Sequence, residues 1–263
     1  MSSPDKPLAG RGAVVTGAGR GIGEAVARAL ADAGAHVLLA ARTLQQVESV
    51  AASIRSRGLT ASAVVCDVTS EHSVHSMFLA AADTIGRVDI LVNNAGVGHS
   101  ALVQNTTLED WNRVMAVNAT GAFLCTREAL PPMLGRDWGR IVNVASIVGL
   151  SATRYIAAYA ASKHALVGLT RAVAAEVDGT GVTCNAVCPS FVDTPMTTST
   201  VQNVAARTGR DADASLQMVL ATSGQSRLVT PDEVARQVLA FCMPDSAHNG
   251  ETWIIDAEEL PYE

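Results

Sequence analysis

Aromatic residues are nearly missing from this chain, with four Phe, three Tyr and three Trp in 263 residues. Since 48% of the residues are hydrophobic, that content is largely aliphatic and alanine, which suits helices packed on a buried parallel sheet. Charge is sparse and scattered, 19 basic against 25 acidic side chains for a net of −6. With no basic run, neither nucleic acid nor a membrane surface is indicated as a partner. No apolar run approaches the ~20 residues needed to cross a bilayer. The five cysteines (66, 125, 184, 188 and 242) are odd in number and include no C-x-x-C pair. Four lie in apolar segments, which points to buried thiols in a reducing compartment. The stretch Met1–Gly12, polar with Pro4 and Pro7, lacks the charged-then-apolar layout of a signal peptide. A soluble cytoplasmic protein is expected. No repeat, linker or composition break divides the chain, so a single domain over 1–263 is expected, long enough for a sizeable core.

What is present is an alternation of apolar strands and helical stretches. Ala13–Thr16 reads as a strand, followed by Gly17-Ala-Gly-Arg20-Gly21-Ile22-Gly23 and a helix from Glu24 that Gly34 stops. Strand, Gly-rich turn and helix together make a phosphate-binding pattern. Gly17 permits the tight turn, Gly21 lets backbone approach a pyrophosphate, and Gly23 lets the helix pack near the strand. The helix N-terminus supplies N–H groups and positive dipole. His36–Ala41 is a second strand. A carboxylate at its end would hold the ribose diol of NAD and repel the 2′-phosphate of NADP, but this chain has Ala40-Ala41-Arg42. Arg42 and Arg20 either grip a phosphate, which favours NADP(H) with NAD(H) as the alternative, or face solvent.

Further strands are read at Ala61–Cys66, Asp89–Val92, Gly139–Ser146, Val182–Cys188 and Glu251–Asp256, and helices at Leu44–Arg57, Glu71–Ile85, Leu108–Arg127 and from Pro231. His72 and His75 can share a helix face, but without further ligands they make no metal site. The 108–127 helix carries Asn118 in its apolar middle, where it is costly unless hydrogen-bonded. Ser146 ends the fifth strand, and ligands of open parallel sheets gather beyond such ends. In the helix running to Thr170, Tyr159 and Lys163 are four residues apart and share a face. A neighbouring ammonium lowers a phenol pKa otherwise near ~10, making Tyr159 a proton donor and acceptor near neutral pH.

These motifs, from Gly12 to Asp256, resemble the short-chain dehydrogenase/reductase family: Thr16-Gly-Ala-Gly-Arg-Gly-Ile-Gly23, Asp67-Val68, Asn93-Asn94-Ala95-Gly96, Asn118, and Ser146 thirteen residues before Tyr159. The resemblance implies a Rossmann-type, doubly wound, three-layer αβα fold. It implies that Asp67 and Val68 border the adenine, although Asp67 equally suits an N-cap. It also implies that Asn94, Ala95 and Gly96 border the nicotinamide end, and that the Asn118 carbonyl holds a water bonded to Lys163. The Pro189–Met196 segment, with Val192 and Thr194, resembles the family's nicotinamide-carboxamide loop, with Ser190 where Gly is usual. That is tolerable at a negative φ.

The expected reaction is hydride transfer between nicotinamide and a ketone or secondary alcohol. Ser146 polarises the carbonyl, Tyr159 moves the proton, and Lys163 lowers the Tyr pKa and binds the ribose. The sequence is similar to those of 3-oxoacyl and polyketide ketoreductases and of 3-hydroxybutyrate dehydrogenases, so a β-keto acyl substrate, a thioester among the options, is expected. The alternatives are an NAD-linked 3-hydroxy acid or alcohol dehydrogenase and, from another class, a non-catalytic dinucleotide sensor. His99 is either near the substrate or a solvent-facing loop residue, and Arg154 either steers an acidic substrate or is solvated. Residues 195–227, polar and with little apolar periodicity, are expected to be an irregular substrate lid. The last strand runs out into Asp256-Ala-Glu-Glu259 where the family usually has Asp-Gly-Gly, which bears on subunit contacts. A homotetramer is expected, with a homodimer as the alternative.

Overall fold

The segments read as strands lie side by side in one sheet. In the computed structural model, which describes residues 6–151 and 153–257, the strands are β1 (Gly12–Thr16), β2 (His36–Ala41), β3 (Ala61–Val65), β4 (Ile90–Asn93), β5 (Gly139–Val144), β6 (Val182–Pro189) and β7 (Thr252–Ile255). Their order is β3-β2-β1-β4-β5-β6-β7, and every pair is parallel. The helices are α1 (Gly21–Asp32), α2 (Leu44–Arg55), α3 (Glu71–Ile85), α4 (Leu108–Met115), α5 (Gly121–Gly135), α6 (Ala157–Glu176), α7 (Pro195–Thr208), α8 (Ala212–Ala221) and α9 (Pro231–Cys242).

Alternate strand residues face opposite sides. Val15, Leu39 and Val92 enter one core with Leu30 of α1, Ile54 of α2 and Phe241 of α9. Val14, Leu38 and Leu91 enter the other with Met77 of α3, Cys125 of α5 and Val173 of α6. Both faces are covered, so the strands need apolar residues at nearly every position, and each buried Leu, Ile or Val contributes about 1.5–3 kcal/mol. The result is a Rossmann-type αβα domain. The strand order reverses between β1 and β4, opening a crevice at the strands' C-terminal ends. The loops at those ends carry the glycine turn, Asn94–Gly96, Ser146 and the 190–194 segment.

Two expectations change. The helix read at 108–127 runs to Gly135 through Pro131 and Pro132, and is interrupted at Ala116–Thr120 by one π-turn that contains Asn118. A π-turn adds one residue to a turn, too small a change to register in apolar spacing, and such turns are frequent at functional sites. The 195–227 stretch is not irregular but forms α7 and α8. Thr194 caps α7, with Pro195 at its first turn, and Asp211 caps α8. Helix α7 lacks an apolar stripe, with only Thr197 buried, and α8 buries just Ser215, Val219 and Leu220. Their caps therefore mark them better than periodicity does. No helix among the described residues is long and apolar enough to cross a membrane. No group of three or more His, Cys, Asp or Glu among them is placed to hold a metal ion.

Candidate active site

The glycine turn has the backbone its residues permit. Gly17 and Gly21 adopt φ of +66° and +58°, a region that excludes most side chains. At Gly23 a Cβ would stand 2.4 Å from both the Gly17 carbonyl and Asn94 Nδ2, so α1 packs against the turn only with glycine there. Asn94 fixes the turn from β4, as its Nδ2 donates to the carbonyls of Thr16 (3.0 Å) and Gly17 (3.1 Å). Thr16 Oγ1 in turn accepts from the N–H groups of Asn94 and Ala95, both at 3.1 Å. The N-cap residue of α1, Arg20, makes no side-chain cap bond. The first N–H groups of α1 are thus left to an anion, and a dinucleotide pyrophosphate fits. Ile22 packs back onto the α1-side core.

Arg20 and Arg42 are both exposed. Hydrogen bonds from Thr69 hold the Asp67 carboxyl below the usual range, and Arg42, leaving β2, adds a smaller attraction. Asp67 Oδ1 accepts from Thr69 N (3.0 Å) and Thr69 Oγ1 (2.8 Å). Asp67 is therefore not the N-cap of α3; Ser70 is, accepting from Ser73 N at 3.3 Å. Val68 is buried against the position of Gly121. His75 pairs with Glu128 at the surface, 3.2 Å apart, and Arg154 is exposed beside the Tyr155 ring.

Around Tyr159 the polar side chains converge. The Asn118 side chain, from the π-turn, accepts from Val97 N (2.8 Å) and donates to Val97 O (3.0 Å) and Ser162 Oγ (2.9 Å). Ser162 Oγ donates to the Tyr159 carbonyl at 2.7 Å. A Cβ on Gly96 would lie 3.5 Å from Asn118 Oδ1 and 3.8 Å from Lys163 Nζ, so the turn after β4 fits closely over both. Lys163 is buried, and its Nζ donates to Val144 O at 2.8 Å and stands 5.7 Å from the Tyr159 ring centroid. Ser146, leaving β5, accepts from Val148 N (3.4 Å) and lies 3.5 Å from Pro189 O.

The electrostatics differ from the expectation. Burial pushes the Tyr159 phenol up, and the nearby Ser146 hydroxyl works against that shift without reversing it. Burial also pushes Lys163 down, to about 8. In this arrangement the ammonium donates its hydrogen bond to Val144 O, and the direction of the Tyr159 shift is set by desolvation. A stability test follows. The cost of burying the charged amine is present in full below about pH 8 and fades as pH rises towards the ordinary 10.5. Wild type should therefore gain urea resistance across that window relative to Lys163→Met. Parallel curves for the two proteins would contradict the shift.

The segment after β6 closes the site. Ser190 is not among the positive-φ residues, so the replacement of glycine is accommodated. Its Oγ is 3.1 Å from Asp256 Oδ1. Glu258 and Glu259, part of the unusual ending, lie outside the described residues. Thr194 packs against Gly21, and Val192 is buried and bridges Val229.

One further residue, Gln225, carries no motif or spacing that marks it. Its Oε1 accepts from Phe191 N (2.9 Å), its Nε2 donates to the carbonyls of Phe191 and Arg227 (both 3.2 Å), and Ser223 donates to Oε1 at 2.6 Å. It lies in a polar turn that looks ordinary in sequence, and Phe191, the partner that matters, is 34 positions away. Gln225→Leu would leave the Phe191 N–H without its partner, while the Phe191 carbonyl keeps Val229 N, a cost of about 1–3 kcal/mol. The expected result is a higher KM for the cofactor with kcat little changed, and an unaltered KM would refute this.

A crevice at a topological switch point, an uncapped helix over a glycine turn and a polar cluster beside it define a dinucleotide-binding oxidoreductase of the Rossmann class. The family described as short chain dehydrogenase matches residues 11–205, and the chain belongs to it. It is 36% identical over 252 residues to the D-beta-hydroxybutyrate dehydrogenase of Cupriavidus necator, covering 95% of this chain and 97% of that one. It is 35% identical over 236 residues to the 3-oxoacyl-acyl-carrier-protein reductase of Aquifex aeolicus, covering 89% and 91%. Among solved structures, a single-substitution variant of actinorhodin polyketide ketoreductase with NADPH superposes with a TM-score of 0.89 at 34% identity, covering 97% of this chain and 98% of that one. The protein is an oxidoreductase acting on CH–OH or C=O groups.

Proposed function

We propose that the protein is an NADP(H)-dependent reductase of β-keto acyl compounds. The observation that carries this reading is the meeting of Asn118, Ser146, Tyr159 and Lys163 beside the glycine turn. Gly17–Gly23, Asp67–Val68, Asn94–Gly96 and Pro189–Thr194 would hold the nicotinamide cofactor, which would supply or take the hydride. Ser146 hydrogen-bonds the substrate carbonyl as charge develops on its oxygen. Tyr159, its phenol held protonated by burial, delivers a proton to that oxygen. Lys163 holds the ribose and, with Asn118 behind it, returns a proton to Tyr159. Helices α7 and α8 form the lid.

Arg42 in place of a carboxylate at the end of β2 supports NADP(H), and the NADPH-bound ketoreductase neighbour points the same way. The hydroxybutyrate dehydrogenase relative supports the β-oxygenated substrate class and keeps NAD(H) as the second reading. Exposed Leu108, Trp111 and Phe123 on α4 and α5 support a homotetramer, and light scattering reports its mass directly.

The test is the fall in reduced-cofactor absorbance with a β-keto thioester, run with NADPH and NADH in parallel. Turnover preferring NADPH is expected. A preference for NADH would install the second reading. Tight cofactor binding with no turnover on any ketone or alcohol would favour the sensor.

A further inference from the structure

One imidazole close to this cluster has no part in the scheme above. His99 Nδ1 lies 3.5 Å from Asp110 Oδ1 at the start of α4. Asp110 is itself held by Thr107 Oγ1 (2.8 Å) and Arg113 Nη2 (3.1 Å). The opposite ring nitrogen, Nε2, is shut from solvent and has no hydrogen-bond partner. Native structures leave few buried polar atoms in that condition, and each one calls for a reason.

Its surroundings supply one. Val97, two residues back, is bonded through both backbone groups to Asn118, so His99 Cα is at most about 7 Å along the chain from the cluster's edge. On its other flank, a Cβ on Gly98 would stand 3.9 Å from Met196 Sδ of α7, and Arg207 of α7 donates to Ser100 O at 3.2 Å. Ala101 N donates to Tyr155 O at 2.7 Å, just before α6. The imidazole therefore sits where α4, α7 and the approach to the catalytic helix meet.

We infer that His99, aimed by Asp110, is a specificity residue that hydrogen-bonds a second oxygen of the substrate beside the carbonyl being reduced; this rests on the hydride-transfer reading above. Asp110 takes the Nδ1 side, so Nε2 is the nitrogen left without a partner. A doubly protonated ring donates to an ester, thioester or carboxylate oxygen, and a neutral ring with Nδ1–H towards Asp110 accepts from a hydroxyl. A substrate without a second oxygen leaves Nε2 buried and unpaired, and sites built around such a bond reject the analogue that lacks it.

The experiment compares ethyl acetoacetate with heptan-2-one, equal in chain length, for wild type, His99→Phe, His99→Gln and Asp110→Asn. His99→Phe is expected to lose about 10- to 100-fold in kcat/KM on the ketoester, mainly through KM, with no loss on the monoketone and unchanged NADPH binding. His99→Gln should recover part of the loss, and Asp110→Asn should show a smaller loss on the ketoester alone. Equal losses on both substrates, or none on either, would overturn the assignment. If wild type binds NADPH but reduces neither compound, and no other carbonyl, the hydride-transfer reading fails and the role of His99 falls with it.

Discussion

Tyr159→Phe is expected to cut kcat by about 10²- to 10⁴-fold, the usual contribution of a positioned proton donor. NADPH binding and the melting temperature should stay near those of wild type. Phenylalanine keeps the ring that faces Lys163 Nζ at 5.7 Å and removes only the hydroxyl, so packing is preserved. Stopped-flow turnover and cofactor fluorescence measure the two quantities separately. Burial raises the Tyr159 pKa above its ordinary value of 10.0, so in the reductive direction the donor keeps its proton throughout the neutral range. Its contribution is present below that raised pKa and is lost only as pH climbs through it. Lys163, pushed down to about 8, titrates first. The kcat/KM profile for reduction should therefore bend near pH 8 in wild type, and the bend should vanish in Lys163→Met. Undiminished turnover in Tyr159→Phe would move the proton to another group and end the assignment.

The parts of this site that could be read in the sequence are those where one residue type answers one local demand. Gly17 and Gly21 sit at positive φ and Gly23 has no room for a Cβ, so the turn was visible as a pattern of glycines. Strands buried on both faces show as apolar runs, and an Asn in an apolar helix signals a partner, here Val97 and Ser162. What stayed hidden depends on groups brought together by the fold. The spacing of Tyr159 and Lys163 gave their proximity but not their burial, and burial decides the direction of both shifts. Asp67 suits a cap in sequence, and only the geometry assigns the cap to Ser70. The π-turn at Asn118 changes the helix by one residue without disturbing its apolar spacing. The ring of His99 and the carboxylate of Asp110 are eleven positions apart, across a segment with no periodicity to predict their meeting.

Arg42→Asp should reverse the cofactor preference, and the ratio of NADPH to NADH efficiency is the quantity to read. With NADPH the substitution removes a charge-assisted hydrogen bond to the 2′-phosphate and sets a carboxylate against it. With NADH it adds an acceptor for the ribose diol. At about 1.5–3 kcal/mol for each hydrogen bond to a charged group, the two effects together shift the ratio by about 10²- to 10⁴-fold. Arg42 is exposed, so at physiological ionic strength the lower end is expected, and lowering the salt should widen the shift. Arg20 remains in the glycine turn, and Arg20→Ala combined with Arg42→Asp should carry the ratio further. Either cofactor alone would mislead, because Arg42 also helps keep Asp67 ionised. A second carboxylate there disturbs the adenosine end for both cofactors alike, and that common loss cancels in the ratio. An unchanged ratio alongside weaker binding of both would mean that Arg42 supports Asp67 and the adenine end, and that the 2′-phosphate is not held at the end of β2.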